Sequence, residues 1–65
     1  MVKNRLKEIR MREYMLSAKE FAKKLDVPLS TYSQWETGVS NPNLNKAFDI
    51  ARQLNKKLEE IWYCE

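Results

Sequence analysis

Apolar residues recur along this chain at helical spacings, with polar residues between them. Val2, Leu6 and Ile9 fall at i, i+4 and i+7, which is one face of a helix predicted over Val2–Tyr14. Met15 and Leu16 then carry the chain into a turn. Ser17 is placed to cap a second helix, Ala18–Leu25, and Glu20 three residues later completes a capping box. The apolar face of that helix is Ala18, Phe21, Ala22 and Leu25. Pro28 pushes Val27 out of the helical region and cannot sit inside a helix, so a third helix starts at Pro28 or Leu29 and reaches about Glu36. Tyr32 and Trp35, three apart, form its buried face, and Gly38 follows as a left-handed C-cap. Val39–Pro42 reads as a loop. Asn43 caps a fourth helix, Leu44–Leu54, with Leu44, Ala47, Phe48, Ile50, Ala51 and Leu54 predicted to face inward; Asn55 ends it. A short fifth helix spans about Leu58–Tyr63. No stretch alternates with strand period, so the pattern predicts an all-α fold.

Length changes how that pattern is read. Sixty-five residues make one domain with one small core, which is marginal unless something reinforces it. The single cysteine, Cys64, excludes an internal disulfide, and with no histidine there is no zinc site, so no metal is expected. Tight helix packing or oligomerisation has to supply the stability. Cys64 itself reads as a reduced cytosolic thiol, since no second cysteine supports a redox role. No apolar run reaches transmembrane length, and Lys3, Arg5, Lys7, Arg10 and Arg12 leave no secretory signal core, so the expected location is the cytoplasm. An enzyme is not expected. There is no Gly-rich loop, no Ser or Cys beside a plausible base and no ligand cluster, hence no cofactor and no small-molecule ligand.

Charge adds an asymmetry. Met1–Lys24 holds eight basic residues and three acidic ones, a net +5, whereas the remainder holds four and six, a net −2. A one-ended positive field suits an anionic partner. Two short helices around a three-residue break, Ala18 to Glu36, are laid out as a helix-turn-helix. Ala22 is small enough to lie under the crossing, and Phe21, Leu25, Val27, Tyr32 and Trp35 can fill it. The opposite face of the third helix is Leu29, Ser30, Thr31, Ser33 and Gln34, with no charge. In a chain that is 32% charged, a merely solvated face would carry Lys or Glu. Hydroxyl and amide groups suit hydrogen bonds to base edges, and Leu29 could meet a thymine methyl.

Arg5-Leu6-Lys7-Glu8-Ile9-Arg10, Leu16-Ser17-Ala18-Lys19-Glu20-Phe21-Ala22, Asp26-Val27-Pro28, Thr31-Tyr32-Ser33-Gln34-Trp35-Glu36-Thr37-Gly38, Asn41-Pro42-Asn43-Leu44 and Ile50-Ala51-Arg52-Gln53-Leu54 follow one another without insertion. This ordered set resembles the phage-repressor (Cro/CI-like, XRE) helix-turn-helix family over essentially the whole chain. The resemblance implies a five-helix, lambda-repressor-like domain whose second and third helices form the helix-turn-helix. It implies a transcriptional regulator, in the first instance a repressor, whose third helix enters the major groove of double-stranded DNA. Leu29, Ser30, Ser33 and Gln34 match base-reading positions. Thr31, Thr37 and Asn41 match phosphate-holding positions. Ser17 and Ala18, at the start of the second helix, would also face a phosphate, with Lys19 and Lys46 as further contacts. Arg10 and Glu36 match a partly buried ion pair between the first and third helices. The chain departs from the family where Ala18 replaces a DNA-contacting Gln, Met15 and Asp26 replace turn glycines, and Leu29 replaces a polar or basic residue.

Two readings follow for partners. In the first, Leu58, Trp62 and Tyr63 on the last helix help to form a homodimer that reads two half-sites about one helical turn apart. In the second, the domain is a protein-interaction module, antitoxin-like or regulator-binding, that touches DNA weakly.

Overall fold

The computed structural model describes all residues, Met1–Glu65. The element order is β1 (Val2–Asn4), α1 (Leu6–Ile9) running into a π-helical turn (Arg10–Tyr14), α2 (Ala18–Lys24), α3 (Leu29–Thr37), α4 (Leu44–Gln53), α5 (Leu58–Ile61) and β2 (Trp62–Cys64). The five helices pack around one core, and α2 with α3 makes the helix-turn-helix.

Three sequence signals act locally where they were expected to. The Ser17 hydroxyl accepts from Glu20 N–H at 3.1 Å, and the Glu20 carboxylate accepts from Ser17 N–H at 3.0 Å, closing the capping box. Asn43 Oδ1 accepts from Lys46 N–H at 2.8 Å and starts α4. Gly38, at φ 83°, ends α3. Met15, Asp26 and Asn55 also hold positive φ, at 52°, 60° and 56°. At Asp26 the chain turns through paired bonds, Asp26 N–H to Lys23 C=O and Val27 N–H to Ala22 C=O, both 3.0 Å. These satisfy the last carbonyls of α2 and set the angle into α3.

The core is Leu6, Ile9, Phe21, Ala22, Leu25, Tyr32, Trp35, Ile50, Ala51, Leu54 and Ile61. Ala22, 1% exposed, lets α2 and α3 approach closely. Phe21 meets Tyr32 edge-on, with ring centroids 5.6 Å apart, and Tyr14 leans on Phe21 at 5.5 Å.

The two chain ends differ from the helical expectation. Val2–Asn4 and Trp62–Cys64 are antiparallel strands, with Val2 opposite Cys64, Lys3 opposite Tyr63 and Asn4 opposite Trp62. Val2 is therefore not on the helical face assigned to it, and Trp62 and Tyr63 lie beyond the end of α5. Aromatic residues favour strands, and the ladder satisfies backbone groups at both ends. Arg5 N–H to Ile61 C=O (2.9 Å) extends it, and the Arg5 guanidinium covers the Tyr63 ring at 4.1 Å.

Leu44 and Phe48 are the other correction. Both were expected to face inward, and both are exposed, at 66% and 51%. Ala47, Ile50, Ala51 and Leu54 centre the buried face of α4, and at 3.6 residues per turn Phe48 points roughly 100° away from that centre.

Candidate nucleic-acid interface

α3 has two unlike sides. Inward, Tyr32 and Trp35 are buried. The Glu36 carboxylate takes a two-point contact from Arg10, with Nε to Oε2 at 3.1 Å and Nη2 to Oε1 at 3.3 Å. The Tyr32 hydroxyl donates to the same carboxylate. Arg10 also donates through Nη1 to Leu16 C=O at 2.9 Å, so it clamps the turn before α2 as well as the end of α3. The pair is largely shielded, with side chains 12% and 15% exposed. The hydrogen bonds to Glu36 raise the Arg10 pKa above its ordinary value against the opposing effect of burial. Burial first, and Glu36 second, push the Tyr32 phenol well above its usual range. At neutral pH Arg10 is therefore charged and Tyr32 neutral where both meet the Glu36 carboxyl group.

Asn4 adds a tie that sequence reasoning missed. Its Nδ2 donates to Trp35 C=O at 2.8 Å, while its Oδ1 accepts from Leu6 N–H at 3.1 Å. One residue thus starts α1 and holds the last turn of α3. Asn4 lies one residue ahead of the N-cap Arg5, and its bond to Leu6 N–H marks the true start of the helix better than Val2 does.

Outward, Leu29, Ser30, Ser33 and Gln34 are exposed, and Thr31 is half-buried. They share one solvent-facing side of α3 with no charged group among them. Gln34 is not loose: Ser40 Oγ donates to its Oε1 at 3.3 Å, and Ser40 N–H donates to Gln34 C=O at 3.2 Å. Its side-chain amide donors remain free. Ser40 was not singled out from sequence, because nothing local marks a loop serine as the neighbour of a residue one and a half turns back. The Thr37 hydroxyl donates to Ser33 C=O at 2.9 Å, within its own helix.

Of the residues expected to hold phosphate, Ala18 and Thr31 are half-buried and Thr37 bonds within α3, and the other four divide into two groups. Lys19 and Asn41 are exposed, and Lys19 lines an open groove with Lys23, Asp26, Val27, Pro28 and Leu29 between α2 and the start of α3. Ser17 and Lys46 have internal tasks. Ser17 is held in the capping box, whose N–H and hydroxyl lower the Glu20 carboxylate pKa, and this keeps a negative charge beside Ala18 at the entry to α2. Lys46 Nζ donates to Leu25 C=O at 2.9 Å and caps the C-terminal end of α2, where a cation is favoured.

Leu58 and Trp62 are half-buried and pack on the core. Tyr63, also half-buried, lies under Arg5.

A family model described as helix-turn-helix matches residues 6–61. The chain is 36% identical over 61 residues to an uncharacterized HTH-type transcriptional regulator of Archaeoglobus fulgidus, covering 94% of this chain and 84% of that one. A second protein of the same description and organism is 34% identical over 61 residues, with 94% and 86% covered.

Proposed function

The chain belongs to the helix-turn-helix family of DNA-binding transcriptional regulators, and we propose that it acts as a sequence-specific repressor, reading double-stranded DNA as a homodimer with α3 in the major groove. The observation that carries this reading is the uncharged, exposed side of α3 on a helix anchored so firmly from behind. Gln34 has free amide donors for adenine N7, and its Oε1, which accepts from Ser40 Oγ, keeps a second lone pair for the adenine amino group, so a two-point contact is open to it; Ser30 and Ser33 supply adaptable hydroxyls. Leu29, 43% exposed, suits a thymine methyl. Lys19, Thr31, Thr37 and Asn41 are the backbone contacts, with Lys23 joining Lys19 along the groove. No helix is long and apolar enough to cross a membrane, and the working location is the cytoplasm, at the nucleoid.

The protein-interaction reading draws on a specific observation, since the side chains of three expected phosphate ligands, Ser17, Thr37 and Lys46, are engaged internally. Salt separates the two. Selection from a random duplex pool is expected to enrich one motif, and binding to it should fall steeply as salt rises. Lys19→Ala should weaken all duplexes alike. A pool with no enriched motif, together with flat salt dependence, would favour the interaction module.

A further inference from the structure

The exposed face of α4 carries apolar groups that neither the core nor the DNA-facing side uses. Leu44 and Phe48 stand one turn apart on it, and Val2 on β1, 43% exposed, lies on the rim of the same region. Beside them opens a cleft of about 200 Å³ lined by Val2, Pro42, Leu44, Ala47, Leu58 and Trp62, together with Asn41. Trp62 lines this cleft, and its indole N–H is buried without an acceptor.

We propose that this face is the homodimer interface: a second copy of the chain docks across a two-fold axis beside α4, and Phe48 of each copy enters the cleft of the other. The inference rests on the homodimer reading above and says which surface makes the dimer. A two-fold contact needs one patch that complements itself. Here a projecting ring and an apolar cleft sized for a ring occur on one side of the molecule. The area is consistent. The exposed parts of Leu44, Phe48 and Val2 amount to about 300 Å², within the range where a monomer's largest apolar patch marks a contact surface. A standard interface covers about 800 Å² per partner, a little over half of it apolar. The exposed edges of the half-buried Pro42, Leu58 and Trp62 add to this patch, which fits a small interface. Asn45, Asp49 and Arg52 are the exposed polar residues of α4 around it. They carry both signs, so like charge does not oppose self-association. Asn41, named above as a phosphate contact, lies where the cleft meets the DNA-facing side, and Ser30, Ser33 and Gln34 lie outside the cleft, so docking leaves the base-facing set open.

Leu58 and Trp62, expected from sequence to join an interface, enter it as cleft walls. Tyr63, covered by Arg5, stays outside.

Sedimentation velocity of the full chain without DNA, from low to high micromolar concentration, tests the surface. Wild type is expected to pass from monomer to dimer in the micromolar range. Phe48→Lys and Leu44→Lys should each weaken association by about tenfold or more, with unchanged helical circular dichroism. Met11→Lys, the same exchange at a 54% exposed position on the π-helical turn, should leave it unchanged. Leu44 begins α4 and is mostly solvated, so its variant still decides the matter if Phe48→Lys misfolds. Dimers that persist in both α4 variants, or weaken equally in Met11→Lys, overturn the surface and leave the homodimer reading standing. A wild type that is monomeric at high micromolar concentration, alone and on a duplex bearing two selected half-sites, overturns both.

Discussion

The inward and outward sides of α3 differ in how fully their groups are committed. Inward, every polar group named above has a partner within the molecule: Glu36 holds Arg10 and Tyr32, Arg10 also holds Leu16, and Asn4 holds the Trp35 carbonyl. Outward, Ser30, Ser33 and the Gln34 amide donors face solvent without charge. The contrast suggests how 65 residues can support recognition. Binding costs less when groups aimed at a ligand need not be ordered first, and the buried cluster does that ordering from behind. Stability and specificity should then respond to different substitutions on one helix.

The largest expected effect breaks the inward side. Glu36→Gln leaves Arg10 without its counter-charge in a shielded site and should cost about 3 kcal/mol. For a domain this small that is most of its stability. The urea midpoint should drop sharply with an unchanged slope. Tyr32→Phe removes a single hydroxyl and keeps the ring against Phe21, so a loss of about 1 kcal/mol is expected. A smaller change of opposite sign tests the entry to the motif. Met15 holds a left-handed conformation while 82% exposed, so Met15→Gly removes backbone strain and almost no packing. It should stabilise by roughly 0.5–1 kcal/mol, read as a higher thermal midpoint. None of the three should alter which bases are preferred among folded molecules.

The same contrast governs what was legible in the sequence. The helix-turn-helix could be read because its signals are local: Ser17 with Glu20, the break at Pro28, Gly38, and the spacing of Phe21, Ala22, Tyr32 and Trp35. The strands could not be read. Three residues are too few to show alternation, and β1 and β2 exist only because the two chain ends meet. Leu44 and Phe48 fit an apolar helical face, yet periodicity says nothing about how wide a face the core can cover. Lys46 illustrates the limit for charged groups: the family resemblance implied a phosphate contact, and only the fold brings it to the Leu25 carbonyl.

The most direct measurement uses Gln34→Ala, which changes the outward side alone. Folding stability and affinity should be measured together, on the selected duplex and on a duplex with its preferred adenine replaced. Stability should stay within about 0.5 kcal/mol of wild type. The preference between the two duplexes should shrink by about tenfold, corresponding to a lost contact of roughly 1–3 kcal/mol. If wild type and Gln34→Ala bind both duplexes with the same ratio, Gln34 does not read bases and the outward side of α3 has another purpose.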